Sequence, residues 1–231
     1  MAIGVVCAAT ALLAGPAYRT ELLSLGAAFQ AIRWATFAAI AGAVTALLAW
    51  GLSTQARTPQ GRTVAAVALA LNALAAGPPL YLYQQAQGLP RIHDISTDTA
   101  DPPSFVAVLP LRQHARNPVD YPPDTAAQQQ RGYPDIVPLR LDVPPAQAFE
   151  RADRAARAMG WQILAAAPDE LRIEATATTL FFGFKDDVVI RVRPQAQGSI
   201  VDVRSLSRIG GSDMGANARR VRSYLNKLAG A

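Results

Sequence analysis

The stretch "GFKDDVVIRVRP", residues 183–194, places two adjacent carboxylates ahead of alternating apolar and charged side chains. Alternation with a period of two predicts a strand with one buried face, because successive side chains of a strand point to opposite faces of the sheet. The same geometry sends Asp186 and Asp187 to opposite faces. We therefore expect the two carboxylates to have separate structural partners, a turn for one and an arginine such as Arg191 or Arg204 for the other.

The segments on either side of this strand continue the pattern. The turn "PQAQGS" joins it to a second alternating run at 200–206. Two earlier runs, at 161–165 and 171–177, are joined by "APDE" and predict a further hairpin. A shorter extended stretch at 136–143 comes before them. The C-terminal part of the chain therefore contains one early strand and four later ones.

Two amphipathic helices are predicted beside these strands. Pro144 and Pro145 fit the first turn of one helix, because the amide hydrogen that proline lacks has no partner there, and Gly160 fits its end. The other helix begins at Met214, with these residues on its polar face: Arg219, Arg220, Arg222 and Lys227. The order strand, helix, four strands and helix predicts an α+β domain at 137–231, in which the helices cover one face of an antiparallel sheet.

A proline-rich stretch at 89–136 precedes this domain. Its eight prolines exclude long helices and central strands. Its aliphatic and aromatic residues are too many for a solvated linker. We therefore predict an extended arm that packs over the domain. The open face of the sheet, which this arm would cover in part, carries Arg172, Glu174, Arg191, Arg193, Asp202, Arg204 and Arg208.

Residues 1–88 have a different composition. Of the 22 basic and 17 acidic side chains in the chain, this part holds four arginines and one glutamate. Two charge-free stretches, 34–52 and 63–83, are long enough to cross a bilayer core of about 30 Å as helices. Residues 1–18 predict a third, shorter span, because no basic residue precedes Arg19 as a cleaved signal peptide would require.

Three local features refine this membrane domain. The residues at 19–33 combine helical spacing with charge and predict a helix lying in the interface. Pro78 and Pro79 remove amide donors and should kink or end the third helix. Asn72 either bonds to a neighbouring helix or is a single tolerated amide. An assembly role, with oligomers formed through these helices, is one functional alternative.

The charges of the loops predict the orientation of the chain. The loop at 53–62 carries Arg57 and Arg62 without an acid, whereas the 19–33 segment offsets its arginines with Glu21. The positive-inside bias puts the 53–62 loop in the cytoplasm and the soluble domain on the outer side. Twenty arginines beside two lysines are typical of a GC-rich bacterial coding sequence. We therefore expect a bacterial inner-membrane protein with a periplasmic C-terminal domain.

Several motifs of the soluble part occur together in one order. They are "IHDISTD" followed by "DPP", then "NPVDYP", "YPDI", "GFKDDVVIRV" and "VDVRSLSRIGGSDMGANARRVRSYL". Through these motifs the chain, over residues 91–228, resembles the bacterial and plastid family catalogued as domain of unknown function 1499. The resemblance implies N-terminal hydrophobic spans, which bacterial members often carry, and it implies no activity.

A first set of polar residues is the candidate for catalysis. His93, Asp94, Asp186 and Asp187 would serve a hydrolase or transferase at the membrane surface. A metal phosphohydrolase needs several His and Asp ligands, and His114 is the one other histidine. No G-x-S-x-G motif accompanies the set. We predict no metal and no cofactor, and we expect Asp94, like its neighbours Asp98 and Asp101, to accept amides in local turns.

A second set is the candidate for binding an anionic or amphiphilic ligand. Guanidinium groups beside a helix N-terminus can hold an anion, because backbone donors and charge act together. Ser212 or Asp213 is placed to cap the last helix. The alternative is a cap that forms a salt bridge with Arg208. The predicted ligand-binding residues are Arg191, Arg204, Arg208, Ser212, Asp213 and Asn217.

These observations favour a membrane-anchored envelope protein whose outer domain binds a protein partner or such a ligand. The 18 basic and 16 acidic residues after position 88 nearly cancel, which argues against nucleic-acid binding. A membrane-surface hydrolase or transferase is the alternative. A structure in which His93 and Asp94 reach Asp186, Asp187 or Arg204 in one open cleft would favour that alternative.

Overall fold

A computed structural model describes residues 1–230 of the protein. The chain forms two compact units. The first, the helical unit, comprises Met1–Gly88 together with Phe181–Gly183. The second, the sheet unit, comprises Leu89–Leu180 and Phe184–Ala231.

The helical unit consists of three long helices: α1 (Ala2–Arg19), α2 (Leu25–Gln55) and α3 (Pro59–Gln87). All three are long and apolar enough to cross a membrane, as the charge-free stretches predicted. The second and third helices extend beyond those stretches at both ends. Ser24 begins α2, because its side-chain oxygen accepts the N–H of Ala27 at 3.2 Å.

The helix boundaries decide two predicted details of this unit. Residues 19–33 do not form a separate interface helix, because the chain turns before Ser24 and the residues from Leu25 onward are the first turns of α2. Helix α3 also continues through Pro78 and Pro79 to Gln87. Prolines are tolerated within membrane helices because neighbouring groups satisfy the freed carbonyls. Of the predicted kink or end, the prolines therefore do not produce an end of the third helix.

Small residues hold the three helices together. The side chain of Asn72 is buried among them and donates from Nδ2 to the carbonyl oxygen of Ala68 in its own helix, at 2.8 Å. A Cβ on Gly42 would lie 2.5 Å from Asn72 Oδ1, so this contact requires glycine. Asn72 is thus enclosed within its own chain and does not bond across to another helix. The apolar residues packed in this interior include Cys7, Ala35, Ala39, Ala75 and Ala76.

The sheet unit is an α+β domain, as predicted. Its six strands form one antiparallel sheet in the order β1-β6-β5-β4-β3, and β2 also pairs with β6, beyond the end of β1. The elements in chain order are β1 (Asp94–Ser96), α4 (Pro123–Gly132), β2 (Leu139–Leu141), α5 (Pro145–Ala158), β3 (Gln162–Ala167), β4 (Arg172–Thr178), β5 (Lys185–Pro194), β6 (Ser199–Ser207) and α6 (Ala216–Ala229).

One face of the sheet, the helix face, packs against α5 and α6. The ring of Tyr224 in α6 stacks on Trp161, and its hydroxyl donates to the carbonyl oxygen of Ala152 in α5 at 3.0 Å. These residues join alternate side chains of the central strands in the main core, which includes Ile173, Ala175, Val188, Ile190, Val201 and Val203. The alternation read from the sequence therefore identifies the buried face.

Two element boundaries differ from the prediction. Helix α6 begins at Ala216 rather than Met214, because Met214 and Gly215 both have positive φ angles, which a right-handed helix excludes. A β-bulge between Ile163 and Ala165 shifts the register of β3 against β4. Beyond the bulge Leu164 packs on the opposite face of the sheet.

The other face of the sheet, the arm face, is covered by part of the arm at 89–136. Phe105 and Val108 of the arm pack on Val189 and Leu206 of the sheet in a second, smaller core. The arm is not extended throughout, because it contains a 3₁₀ turn at Leu109–Arg112 and helix α4. Two of its prolines stand at the start of α4, where the missing amide hydrogen has no partner.

Candidate functional site

The arm face of the sheet carries charged side chains that the arm removes from water. Glu174, Asp187 and Asp202 are fully buried, and Arg204 is 4% exposed. A buried charge is costly unless it is paired and hydrogen-bonded. The partners of these four residues therefore decide whether any of them is available for chemistry.

Glu174 binds the backbone of the arm. Its carboxylate accepts the N–H groups of Val106, Ala107 and Val108, each at 3.0 Å, and the guanidinium of Arg172 lies beside it. Three successive amides around one anion form a concave turn that matches a carboxylate. All of the donors that surround Glu174 thus belong to the protein itself.

Asp94 and Arg204 form a second buried pair. Arg204 Nη2 lies 2.7 Å from Asp94 Oδ2. The same guanidinium donates to the arm carbonyls of Pro103, at 3.2 Å, and Val119, at 2.6 Å. Two arm rings also lie on it, those of Phe105 and Tyr121. Burial raises the pKa of Asp94, and the hydrogen bonds and charge of Arg204 oppose that rise.

Asp187 joins the arm to the end of β6. It accepts Arg112 Nη1 at 2.6 Å and Arg208 Nη2 at 2.7 Å, and Thr176 Oγ1 donates to it at 2.8 Å. Of the two adjacent carboxylates, one was expected to cap a turn and the other to pair with an arginine such as Arg191 or Arg204. Asp187 pairs with arginine but with neither of these two, because the register places Asp187 next to Leu206 and within reach of the guanidinium groups at the sheet edge.

Asp202 is shared by two arginines of β5 that also reach the arm. Arg191 donates from Nε to Asp202 at 3.0 Å and from Nη1 to Asp101 at 2.9 Å. Arg193 Nη2 donates to both Asp98, at 2.9 Å, and Asp202, at 3.0 Å. Asp98 also accepts two turn amides. Asp98 therefore serves as a turn residue, as expected, whereas the carboxylates of Asp94 and Asp101, for which a turn role was also expected, are bound by arginine.

The helix face carries a separate polar network around α6. Asp186 pairs with Arg220 at 2.5 Å, so it has an arginine partner and does not cap a turn. Asn217 accepts Ser205 Oγ at 2.7 Å and donates to Ser207 Oγ at 2.9 Å. Arg220 also contacts Asn217 and Ser205, which extends the network from β5 to β6.

The start of α6 is stabilised by the predicted capping residues. Asp213 accepts the N–H groups of Gly215, at 2.8 Å, and Asn217, at 2.7 Å. Ser212 Oγ accepts the N–H of Met214 at 3.3 Å. Burial raises the pKa of Asp213, which the backbone donors oppose. Arg208 bonds to Asp187 rather than to this cap.

The structure divides both predicted sets between the two faces of the sheet. Asp94 and Asp187 lie on the arm face, each bonded to arginine, whereas Asp186 lies on the helix face. The backbone carbonyl of His93 accepts Asn217 Nδ2, and His93 Nδ1 has no hydrogen-bond partner within residues 1–230. The four residues proposed for catalysis do not meet in one open cleft.

Of the proposed ligand-binding residues, Arg191, Arg204 and Arg208 lie on the arm face and are paired internally, while Ser212, Asp213 and Asn217 belong to the start of α6.

A small groove remains open on the surface of the sheet unit, beside the edge where β1 and β2 both pair with β6. It has a volume of about 220 Å³. Its lining residues come from the arm, from α4 and from the segment before β2: Thr97, Thr99, Gln129, Gln130, Tyr133, Pro134, Ile136 and Val137. None of these side chains carries a formal charge.

Gln129 lines this groove and pairs with the backbone of Ser96 in β1, as a neighbouring strand would. Its Oε1 accepts the N–H of Ser96 at 2.9 Å, and its Nε2 donates to the carbonyl oxygen of Ser96 at 2.6 Å. The backbone N–H of Thr97 donates to the carbonyl oxygen of Val203, and Thr97 Oγ1 accepts the N–H of Val203, both at 2.9 Å. Gln130 Nε2 donates to Thr99 Oγ1 at 3.0 Å. Sequence reasoning missed these residues, because isolated neutral side chains in a proline-rich stretch give no local signal.

The comparison with known proteins concerns the sheet unit. Residues 94–228 match the family model described as "Protein of unknown function (DUF1499)". This range agrees with the 91–228 range of the resemblance read from the motifs. No curated protein matches the chain.

Proposed function

The chain belongs to the DUF1499 family of proteins of unknown function, and we propose its function from its own geometry. We propose a bacterial envelope protein that three apolar helices anchor in the inner membrane. The connection between α2 and α3, with Arg57 in it and Arg62 in the first turn of α3, lies in the cytoplasm, and the sheet unit lies in the periplasm, in accordance with the positive-inside bias. The function of the sheet unit is to bind a short extended segment of a protein partner.

The uncharged groove carries this proposal. Its volume of about 220 Å³ suits one or two side chains of a peptide better than a whole small molecule, whose sites usually measure about 300–1,000 Å³. The lining contains no cation that would favour an anionic ligand. The arginines that could have served one are already bonded to Asp94, Asp187 and Asp202.

The hydrogen-bonding groups of the groove suit a peptide backbone. The hydroxyl oxygens of Thr97 and Thr99 accept protein donors, so each hydroxyl keeps its own hydrogen to donate to a bound carbonyl. Ile136, Val137 and Pro134 supply apolar contact beside them. Extended peptides are commonly bound through this combination of main-chain hydrogen bonds and shallow side-chain pockets.

The side chains of the groove suit peptide binding better than catalysis. General acid–base catalysis needs a titratable group at the reacting atoms, and Tyr133 is the one titratable side chain among the lining residues that the structure describes. Burial raises the pKa of Tyr133, which keeps the phenol protonated at neutral pH. The groove therefore favours recognition over hydrolysis.

Selection of peptides tests the proposal. The full chain in lipid nanodiscs is exposed to a displayed library of random peptides, and empty nanodiscs remove lipid binders. We expect enriched peptides whose affinity falls by roughly tenfold or more in Val137→Asp, because an unpaired charge would be buried against the bound peptide at a cost of about 1–3 kcal/mol. Val137 is exposed and lines the groove, so the substitution leaves the core intact.

Ala196→Asp is the matched control, since Ala196 is exposed in the turn between β5 and β6, away from the groove. Peptide affinity should be unchanged in this variant. Enrichment equal to that of empty nanodiscs, or peptides that bind Val137→Asp as well as the unmodified chain, would overturn the peptide-binding function.

A further inference from the structure

One end of the sheet gathers the start of β5, the end of β6 and the start of β1. Asp186 pairs with Ser207, and Asp94 pairs with Leu206. The backbone N–H of Arg208 also donates to the carbonyl oxygen of Lys185 at 3.0 Å. These contacts bring three distant parts of the chain to one edge of the domain.

Two further segments join this end. The backbone N–H of Arg116 donates to the carbonyl oxygen of Arg208 at 2.9 Å. The backbone N–H of Asp213 donates to the carbonyl oxygen of Ile92 at 3.1 Å. In the hairpin between β4 and β5, Thr178 pairs with Lys185, so Leu180 follows at the same end. Within the sheet unit, this end is therefore built from residues 89–93, 115–117, 178–180, 184–185 and 207–214.

The exposed charged side chains of this end are all basic, and the end also exposes a leucine. Among the described residues of these segments in the sheet unit, the exposed charged side chains are Arg91, Arg116 and Lys185, while Asp213 and Arg208 serve the α6 cap and Asp187. Leu180 is 90% exposed. We call Arg91, Arg116, Leu180 and Lys185 the basic end. Cations around an exposed aliphatic side chain are the combination that favours the surface of an anionic bilayer.

A short connection joins the last apolar helix to this end of the sheet. Helix α3 ends at Gln87 and β1 begins at Asp94, so six residues connect the third apolar helix to this end of the sheet. Six extended residues reach about 20 Å at most. The residues that follow Leu180, Phe181–Gly183, group with the apolar helices. A bilayer that holds α3 is therefore within reach of the basic end.

We infer that the basic end binds the lipid surface, with Leu180 entering the interface and Arg91, Arg116 and Lys185 contacting anionic headgroups. The inference concerns a different surface from the peptide groove and does not depend on it. Binding of this kind would hold the sheet unit in a defined orientation at the membrane.

Depth-dependent fluorescence quenching tests the inference on the full chain. Cys7 is the one cysteine, so Cys7→Ser provides a background in which Leu180→Cys or Gln197→Cys carries an environment-sensitive fluorophore. Gln197 is exposed in the turn at the opposite end of β5, about 30 Å away along the strand at roughly 3.3 Å per residue. Each labelled protein is placed in phosphatidylcholine nanodiscs that contain a nitroxide-labelled lipid, with or without phosphatidylglycerol.

We expect strong quenching and a blue-shifted emission at residue 180 and neither change at residue 197. Phosphatidylglycerol should strengthen the signal at residue 180, and the triple substitution Arg91→Gln, Arg116→Gln and Lys185→Gln should abolish that strengthening. Absence of quenching at residue 180 would overturn the inference, as would equal quenching at both positions. An effect of phosphatidylglycerol that survives the triple substitution would refute the role of the three cations. Because the groove is not altered, peptide binding can fail or persist independently of each result.

Discussion

Glu174 in β4 and Val106 in the arm are 68 residues apart in the chain, yet the N–H of Val106 lies 3.0 Å from both carboxylate oxygens of Glu174. The two following amides bind the same carboxylate. Glu174, which the alternating sequence pattern places on the open face of the strand, is thereby buried under the arm. The arm and the sheet are joined by an anion that the chain supplies itself.

Glu174→Gln should release the turn of the arm at residues 106–108. The substitution removes the negative charge that three amides and Arg172 surround, and it adds an N–H₂ group that faces other donors. Breaking a buried pair of this kind costs about 3–5 kcal/mol. Hydrogen exchange should show faster exchange of the three amides, and urea unfolding should give the loss of free energy.

Glu170→Gln is the matched control for this change. Glu170 pairs with the same arginine, but its side chain is 61% exposed. An exposed ion pair contributes about 0–1 kcal/mol, so the control should be nearly neutral. Unchanged protection of residues 106–108 in Glu174→Gln would contradict the role assigned to this carboxylate.

Asp186→Asn and Asp187→Asn should have independent effects on stability. The two carboxylates point to opposite faces, and their arginine partners differ: Arg220 for Asp186, and Arg112 with Arg208 for Asp187. Residues without shared partners give additive changes within about 0.5 kcal/mol. A double-mutant cycle measured by urea unfolding of the full chain checks this. Coupling well above that value would indicate a shared network, as a proton-sharing pair would produce.

Asp213 should make the stability of the chain depend on pH. Burial raises the pKa of this carboxyl in the folded state above its ordinary value. The folded state therefore binds the proton more readily than the unfolded state, and stability rises as the pH falls from neutral toward the ordinary Asp pKa of about 4. The gain is about 1.4 kcal/mol for each unit by which the pKa is raised.

Comparison with Asp213→Asn isolates this contribution, because asparagine can still cap α6 and does not titrate over this range. The unfolding free energy of the unmodified chain, minus that of the variant, should increase as the pH is lowered. A difference that is constant or falls with decreasing pH would show that Asp213 is not destabilised by burial.

Gly42→Ala should destabilise the helical unit. The added Cβ would lie 2.5 Å from Asn72 Oδ1, in an interior that has no room for it. Overpacking of this kind costs about 1–3 kcal/mol. Gly51→Ala in the same helix is the control, because a Cβ there meets no atom within 4 Å. Thermal unfolding in nanodiscs should separate the two variants, and equal stability would contradict the packing described for Asn72.

The sequence predicted elements well where the signal is local. Alternation identified the core face of β5 and β6, and uninterrupted apolar stretches identified all three long helices. The partners of the buried charges were not predictable in this way. Arg112 and Asp187 are 75 residues apart, and no local pattern links them. Arg220 was assigned to the polar face of α6, yet it turns inward because Asp186 lies beneath that helix.

The groove was not predictable for a related reason. It arises because β1 and β2 leave a gap along β6, which Gln129 partly fills through the backbone of Ser96. Such a gap depends on how two short strands share one edge. Composition and periodicity do not predict how β1 and β2 share β6. A glutamine in a short helix also has no distinctive spacing that would mark its contact with Ser96.

We propose that the chain is anchored in the inner membrane and presents the sheet unit outside the cytoplasm, and thiol labelling tests this topology directly. In a Cys7→Ser background, Ala196→Cys places a thiol on the exposed β5–β6 turn, and Gln60→Cys places one in the first turn of α3, within the 53–62 segment expected to be cytoplasmic. A membrane-impermeant maleimide applied to intact spheroplasts should label residue 196 at once and residue 60 after permeabilisation. Labelling of residue 60 but not residue 196 in intact spheroplasts, or recovery of the chain in the soluble fraction, would contradict the claim.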